Sequence, residues 1–74
     1  MMKPITAKEL EYLVDSMSNE DLLMKQCAVT AATASNQDLR HQCLQLQVMH
    51  QQHYDALLHA LEQHQQMAPS QPQH

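Results

Sequence analysis

Hydrophobic residues recur at alternating spacings of three and four in two long runs, which are separated by Ser35 and Asn36. In the first run the spacing passes through Ser18 and Asn19 without a change of phase, as on one side of a continuous helix. This first row comprises Leu10, Leu13, Met17, Glu20, Met24, Cys27, Ala31 and Ala34. We therefore predict a first helix over residues 7–34.

Two capping signals bear on that first helix. Thr6 and Glu9 have the spacing of a capping box, in which each side chain bonds the backbone amide of the other, so we expect the helix to begin at Ala7. Ser18 with Asp21 three residues later has similar spacing, and a break near Ser18 is the alternative. The unbroken apolar row favours a single helix.

The second run extends from Asp38 to Gln66 without proline or glycine. Its row comprises Leu39, Cys43, Leu46, His50, His53, Leu57, Ala60 and His64. This pattern predicts a second helix over residues 37–66. A second apolar strip lies beside that row and comprises Leu44, Val48, Leu58 and Leu61.

The connection and the two ends complete the architecture. Asn36 tolerates the left-handed conformation that often ends helices, and Asp38 suits the positive end of the next one. Two helices of about 28 residues, each roughly 42 Å long, are expected to pack antiparallel across so short a turn.

We expect residues 1–6 to be a lead-in and residues 67–74, which contain Pro69 and Pro72, to be a disordered tail.

Composition supports an all-α chain and argues against nucleic acid and membranes as partners. The chain has no glycine, phenylalanine or tryptophan and only two tyrosines, which argues against strands. Its net charge of −4 with four Lys plus Arg residues argues against nucleic acid, and its short apolar stretches argue against membrane insertion. We see no secretory leader and expect a protein synthesised in the cytoplasm with reduced thiols.

Seventy-four residues bury only about 60% of their unfolded surface, which makes a lone hairpin marginal. A homodimer of two hairpins, forming a four-helix bundle, would cover both apolar strips. An adaptor hairpin that binds a helix of another protein is the alternative.

In a hairpin that folds at this turn, two residues lie opposite one another on the two helices when their numbers add to about 70. The expected pairs are Cys27 with Cys43, Met24 with Leu46, Glu20 with His50, Met17 with His53, and Leu13 with Leu57. One polar layer, made by Glu20, His50 and His53, then interrupts an apolar seam. A carboxylate buried beside imidazoles is costly unless it is protonated, hydrogen-bonded or bound to metal.

Two interpretations of this layer are open. In one, Glu20, His50 and His53 bind a transition metal, since positions i and i+3 of a helix point the same way and nitrogen-rich ligands favour zinc, copper or nickel. In the other, Glu20 and His50 form a hydrogen-bonded pair that sets the register, or the histidines lie at the surface. Under this second interpretation the chain has no cofactor.

The remaining histidines and the cysteines are not expected to perform catalysis. His41, His59 and His64 are interpreted as solvated side chains. Cys27 and Cys43 face one another and form either a disulfide or two packed thiols. A Cys/His nucleophile is not expected, because the chain offers no accompanying oxyanion donors and Cys43 lies a turn or more from the histidine pair.

The turn sequence Ala-Ser-Asn-Gln-Asp-Leu-Arg at residues 34–40 resembles the Ala-Ser-Asn-Pro-Glu-Leu-Arg turn of the Coat F family of spore coat proteins. The similarity extends over residues 17–61, where Met-His-Gln-Gln-His at residues 49–53 stands in place of the family's Glu-Glu-His-rich middle. The resemblance implies a ferritin-like helical fold, a non-enzymatic place in the bacterial endospore coat, and other coat proteins as partners.

Overall fold

The computed structural model describes residues 5–67 and the side chains of residues 5–65. This part of the chain is all-helical, with α1 at Ala7–Thr33 and α2 at Gln37–Met67. The helices pack along one another as an antiparallel hairpin. Of the predicted lead-in over residues 1–6, residues 1–4 lie outside the described residues, and so do residues 68–74 of the predicted tail over residues 67–74. Met67, the first residue of that predicted tail, is the last residue of α2. Within the described part, neither helix combines the length and apolarity needed to cross a membrane.

Helix α1 begins at the predicted capping box. The Thr6 amide donates to Oε1 of Glu9 at 2.8 Å, and the Glu9 amide donates to Oγ1 of Thr6 at 3.1 Å. These reciprocal bonds satisfy two backbone donors that the first turn leaves without helical partners. The helix then continues through Ser18 without a break, so the alternative of two shorter helices is wrong.

The turn uses Asn36 differently from the prediction. Positive φ angles are absent from the described residues, so Asn36 does not end α1 in a left-handed conformation. Instead its Oδ1 accepts from the Leu39 amide at 2.9 Å, which caps the start of α2. Ala34 closes α1 in an extended conformation, and Nη2 of Arg40 donates to its carbonyl at 2.7 Å. Arg40 thus links the end of α1 to the start of α2.

The face of α1 that packs against α2 is the predicted one. All eight positions of its apolar row, from Leu10 to Ala34, are buried or half-buried. Among the described side chains, the two that are buried are nevertheless small, namely Ala31 and Cys43, each 7% exposed. The hairpin therefore has an inner seam but only a thin core.

The face of α2 that packs against α1 is rotated from the predicted one. Every seventh residue from Cys43 to His64 is buried or half-buried, as predicted, but the other four positions of the predicted row are exposed. The exposed ones are Leu39, Leu46, His53 and Ala60, and the half-buried residues Gln47, Tyr54 and Leu61 take the places of the last three. The difference amounts to a rotation of about 50° around the helix axis. It buries more apolar surface in the half far from the turn, because Tyr54 and Leu61 are larger than His53 and Ala60.

Candidate functional site

The polar layer forms where the sequence predicted it. Nδ1 of His50 lies 2.6 Å from Oε2 of Glu20, and Nδ1 of His53 lies 3.3 Å from Oε1 of the same carboxylate. Because a carboxylate accepts hydrogen bonds, the imidazole of His50 is the donor in the shorter contact. Glu20 therefore bridges two histidines that come from the other helix.

The local backbone explains why the two imidazoles converge. His50 and His53 are three residues apart on an uninterrupted helix, which places both side chains on neighbouring parts of one face. Their ring centroids are 5.9 Å apart, and the ring planes meet at 80°. Glu20 reaches both of them because its own position on α1 lies level with His50 across the seam.

The three side chains differ in their exposure to solvent. The side chains of Glu20 and His50 are 18% and 16% exposed, whereas that of His53 is 51% exposed. The rotation of α2 accounts for this difference, because it turns His50 into the seam and leaves His53 at its edge. The layer is therefore shielded on the inner side and open to solvent at His53.

Three groups that can bind metal come together in this layer. One ligand atom from each of Glu20, His50 and His53 lies within 4.8 Å of the other two. The set contains two nitrogens and one carboxylate oxygen, the mixture that zinc and related ions accept. The same contacts also fit a hydrogen-bonded triad that fixes the register of the two helices.

The other predicted residues have more ordinary surroundings. Cys27 and Cys43 are free thiols, half-buried and buried respectively. His41 and His59 are exposed, as expected. His64 is half-buried, so the prediction that it is solvated is wrong, and its shielded Nδ1 lacks a hydrogen-bond partner among the described residues.

A groove of about 360 Å³ lies beside the layer. Its lining residues are Val14, Met17, Ser18, Asp21, Tyr54 and Leu61. Sequence reasoning did not identify Tyr54, although its size and its spacing from His50 and Leu57 fit an inward position. Asp21 is bonded to Lys25 at 2.9 Å, so its carboxylate is already paired on the surface of α1.

The exposed apolar side chains are unevenly distributed. Eleven large hydrophobic side chains are exposed among the described residues, and eight of them lie within residues 22–49, the half of the hairpin next to the turn. These eight, which we call the turn-proximal surface, are Leu22, Leu23, Val29, Leu39, Leu44, Leu46, Val48 and Met49. The other three are Tyr12, Val14 and Leu58.

Comparison with known proteins gives no family for this chain, since no family model, curated protein or solved structure matches it.

Proposed function

We propose that this chain is a non-enzymatic assembly module that works as a homodimer, in which two hairpins form a four-helix bundle. The turn-proximal surface is the observation that carries this proposal. Concentrated exposed apolar side chains mark an interaction surface more often than scattered ones do. A second copy is the occupant we favour, because the hairpin has only a thin core and a four-helix bundle supplies a larger one.

The arrangement of the apolar residues supports a helical partner. Leu44 and Val48 lie four residues apart on one side of α2, and Leu39 and Leu46 lie seven residues apart on another. Both spacings give continuous strips on a helix, into which the side chains of a facing helix pack. Farther along the first strip, Gln51 donates to Asp55 at 2.9 Å. This polar pair separates the apolar part of the strip next to the turn from Leu58 farther along it.

The non-enzymatic part of the proposal rests on the thiols. Cys43 is 7% exposed, so its thiol is shielded from any substrate that approaches from solvent. We place the dimer in the bacterial endospore coat, among other coat proteins, because residues 34–40 resemble the turn of the Coat F family. Purified spores and vegetative cells of the source organism, compared by mass spectrometry, test that placement. Absence of the chain from spores would refute it.

Sedimentation equilibrium of the untagged protein tests the assembly. We expect a mass twice that of the 8.5 kDa chain at high concentration, and a melting temperature that rises with concentration, since association stabilises the folded form. A monomer at every concentration, with a constant melting temperature, would contradict the proposal. A monomer that binds the helix of another protein would support the adaptor alternative.

A further inference from the structure

Glu20, His50 and His53 form a compact group of metal-binding side chains that the proposed assembly role does not use. The carboxylate contacts both imidazoles, at 2.6 Å and 3.3 Å. Partly buried polar groups in a largely apolar seam reduce the gain from packing unless they are hydrogen-bonded or bind a metal. We propose that the three residues bind one divalent transition-metal ion of the zinc class per chain.

The distances fit such an ion with little movement. In a tetrahedral zinc site with bonds of about 2.0–2.2 Å, neighbouring ligand atoms lie about 3.4 Å apart. The contact of 3.3 Å between His53 and Glu20 already has that length. The contact of 2.6 Å joins His50 to the other oxygen of that carboxylate, Oε2, and it opens by less than about 1 Å when an ion takes the place of the proton that His50 donates. All three ligand atoms start within 4.8 Å of one another.

The ligand types select the class of metal. Two imidazoles and one carboxylate are the ligands of many zinc sites, whereas magnesium and calcium are bound by oxygen. Three protein ligands leave one tetrahedral position free, and water takes it. His53 is 51% exposed, which gives water and the incoming ion a path to the layer.

The positions of the ligands couple binding to folding. Glu20 is separated from His50 by 30 residues and from His53 by 33 residues, so all three meet only when the hairpin is closed. A metal bound by both helices therefore raises the melting temperature. The His50-x-x-His53 pair alone does not join the helices, so Glu20 makes the site specific to the hairpin.

Titration calorimetry with zinc, on untagged protein freed of metal by a chelator, tests this inference. We expect one zinc ion per chain. His50→Gln or His53→Gln is expected to weaken binding by more than the roughly 10–100-fold that follows loss of an outer-sphere partner. Glu20→Gln is expected to abolish the zinc-dependent rise in melting temperature. His41→Gln and His59→Gln are matched controls in exposed positions on the same helix, and we expect no change in them.

Two further measurements check that the variants fold and that the bound metal is tetrahedral. Circular dichroism of the metal-free variants verifies that they fold, since glutamine preserves helix propensity. Cobalt in place of zinc reports the geometry, because tetrahedral cobalt absorbs visible light far more strongly than octahedral cobalt. Zinc binding that survives in a Glu20→Gln, His50→Gln, His53→Gln triple variant, no zinc binding at all, or an octahedral cobalt spectrum would each overturn the inference. A monomer that binds zinc through these residues would support it while contradicting the dimer.

Discussion

The half of the hairpin next to the turn and the half far from it bury different kinds of side chain. Near the turn, the seam is made by small residues such as Cys27, Ala31 and Cys43, and most of the large aliphatic side chains are exposed. Far from the turn, larger side chains such as Leu13, Tyr54 and Leu57 are half-buried in the seam. The polar layer of Glu20, His50 and His53 lies at the boundary.

This difference separates the two roles that we propose. Small side chains let two helices approach closely, but they contribute little apolar burial themselves. Large side chains beside such a seam remain available to another helix. The turn-proximal half therefore offers a surface for association with a second chain, whereas the polar layer offers ligands for a metal ion. Substitutions in one half are expected to leave the role of the other unchanged.

The largest expected effect concerns the turn-proximal surface. A Leu44→Glu, Val48→Glu variant is expected to weaken the dimer by at least about 100-fold, because two carboxylates per chain would enter an apolar contact. Sedimentation equilibrium measures the change. Val14→Glu is the control, since Val14 and Leu44 are 46% and 48% exposed but lie in different halves. Equal weakening in both variants would contradict the separation of the two halves.

The small-residue seam gives the second prediction. Ala31 is 7% exposed where the helices approach, so Ala31→Leu is expected to force them apart and lower the free energy of unfolding by about 1–3 kcal/mol. Met17→Leu conserves volume in the far half and is expected to cost less than about 1.5 kcal/mol. Urea unfolding at one fixed protein concentration measures both. If Ala31→Leu left the free energy of unfolding unchanged, the two helices would not be closely packed at that position.

The cap of α2 gives the third prediction. Asn36→Ala removes the oxygen that accepts from the Leu39 amide at 2.9 Å, and we expect a loss of about 1 kcal/mol in the free energy of unfolding. Ser35→Ala, at the neighbouring exposed position, is the control and is expected to be nearly neutral. If the two substitutions cost the same, the role assigned to Asn36 is wrong.

The smallest effect concerns pH at the start of α1. The Thr6 backbone amide, and to a lesser degree its hydroxyl, lower the pKa of Glu9 from its ordinary value of 4.5. The folded form therefore gains stability above that value and loses it as the pH falls through the lowered pKa. Circular dichroism is expected to show a slight loss of helix as the pH falls from 4.5 through the lowered pKa of Glu9. Glu9→Gln maintains the capping box without a titrating group, and the loss at acid pH is expected to shrink.

Much of the hairpin could be predicted from sequence, because the apolar row of α1 runs without a change of phase past the second capping signal at Ser18. The pairing of Glu20 with His50 followed from the position of the turn alone. The rotation of α2 did not, because its two rows share Cys43, His50 and every seventh residue after them. The choice between the rows depends on how side chains pack across the seam. Similarly, Asn36 suits both the end of one helix and the start of the next, and sequence alone does not separate the two.

The sequence could bring the three residues of the polar layer together, but it could not decide between a metal site and a hydrogen-bonded layer. The position of the turn sets Glu20 level with His50, but whether the same carboxylate also reaches His53 depends on the rotation of both helices. The structure brings Glu20 within hydrogen-bonding distance of each imidazole. Such a triad fits both a metal site and a simple hydrogen-bonded layer, and zinc titration separates the two.

Photo-crosslinking tests the central claim most directly, namely that a second copy covers the turn-proximal surface. A photoreactive amino acid replaces either Val48, which is 59% exposed next to the turn, or Tyr12, which is 60% exposed in the far half. Irradiation of the purified protein is expected to give a covalent dimer from position 48 and little from position 12. Equal yields at both positions, or no dimer from position 48, would contradict the account.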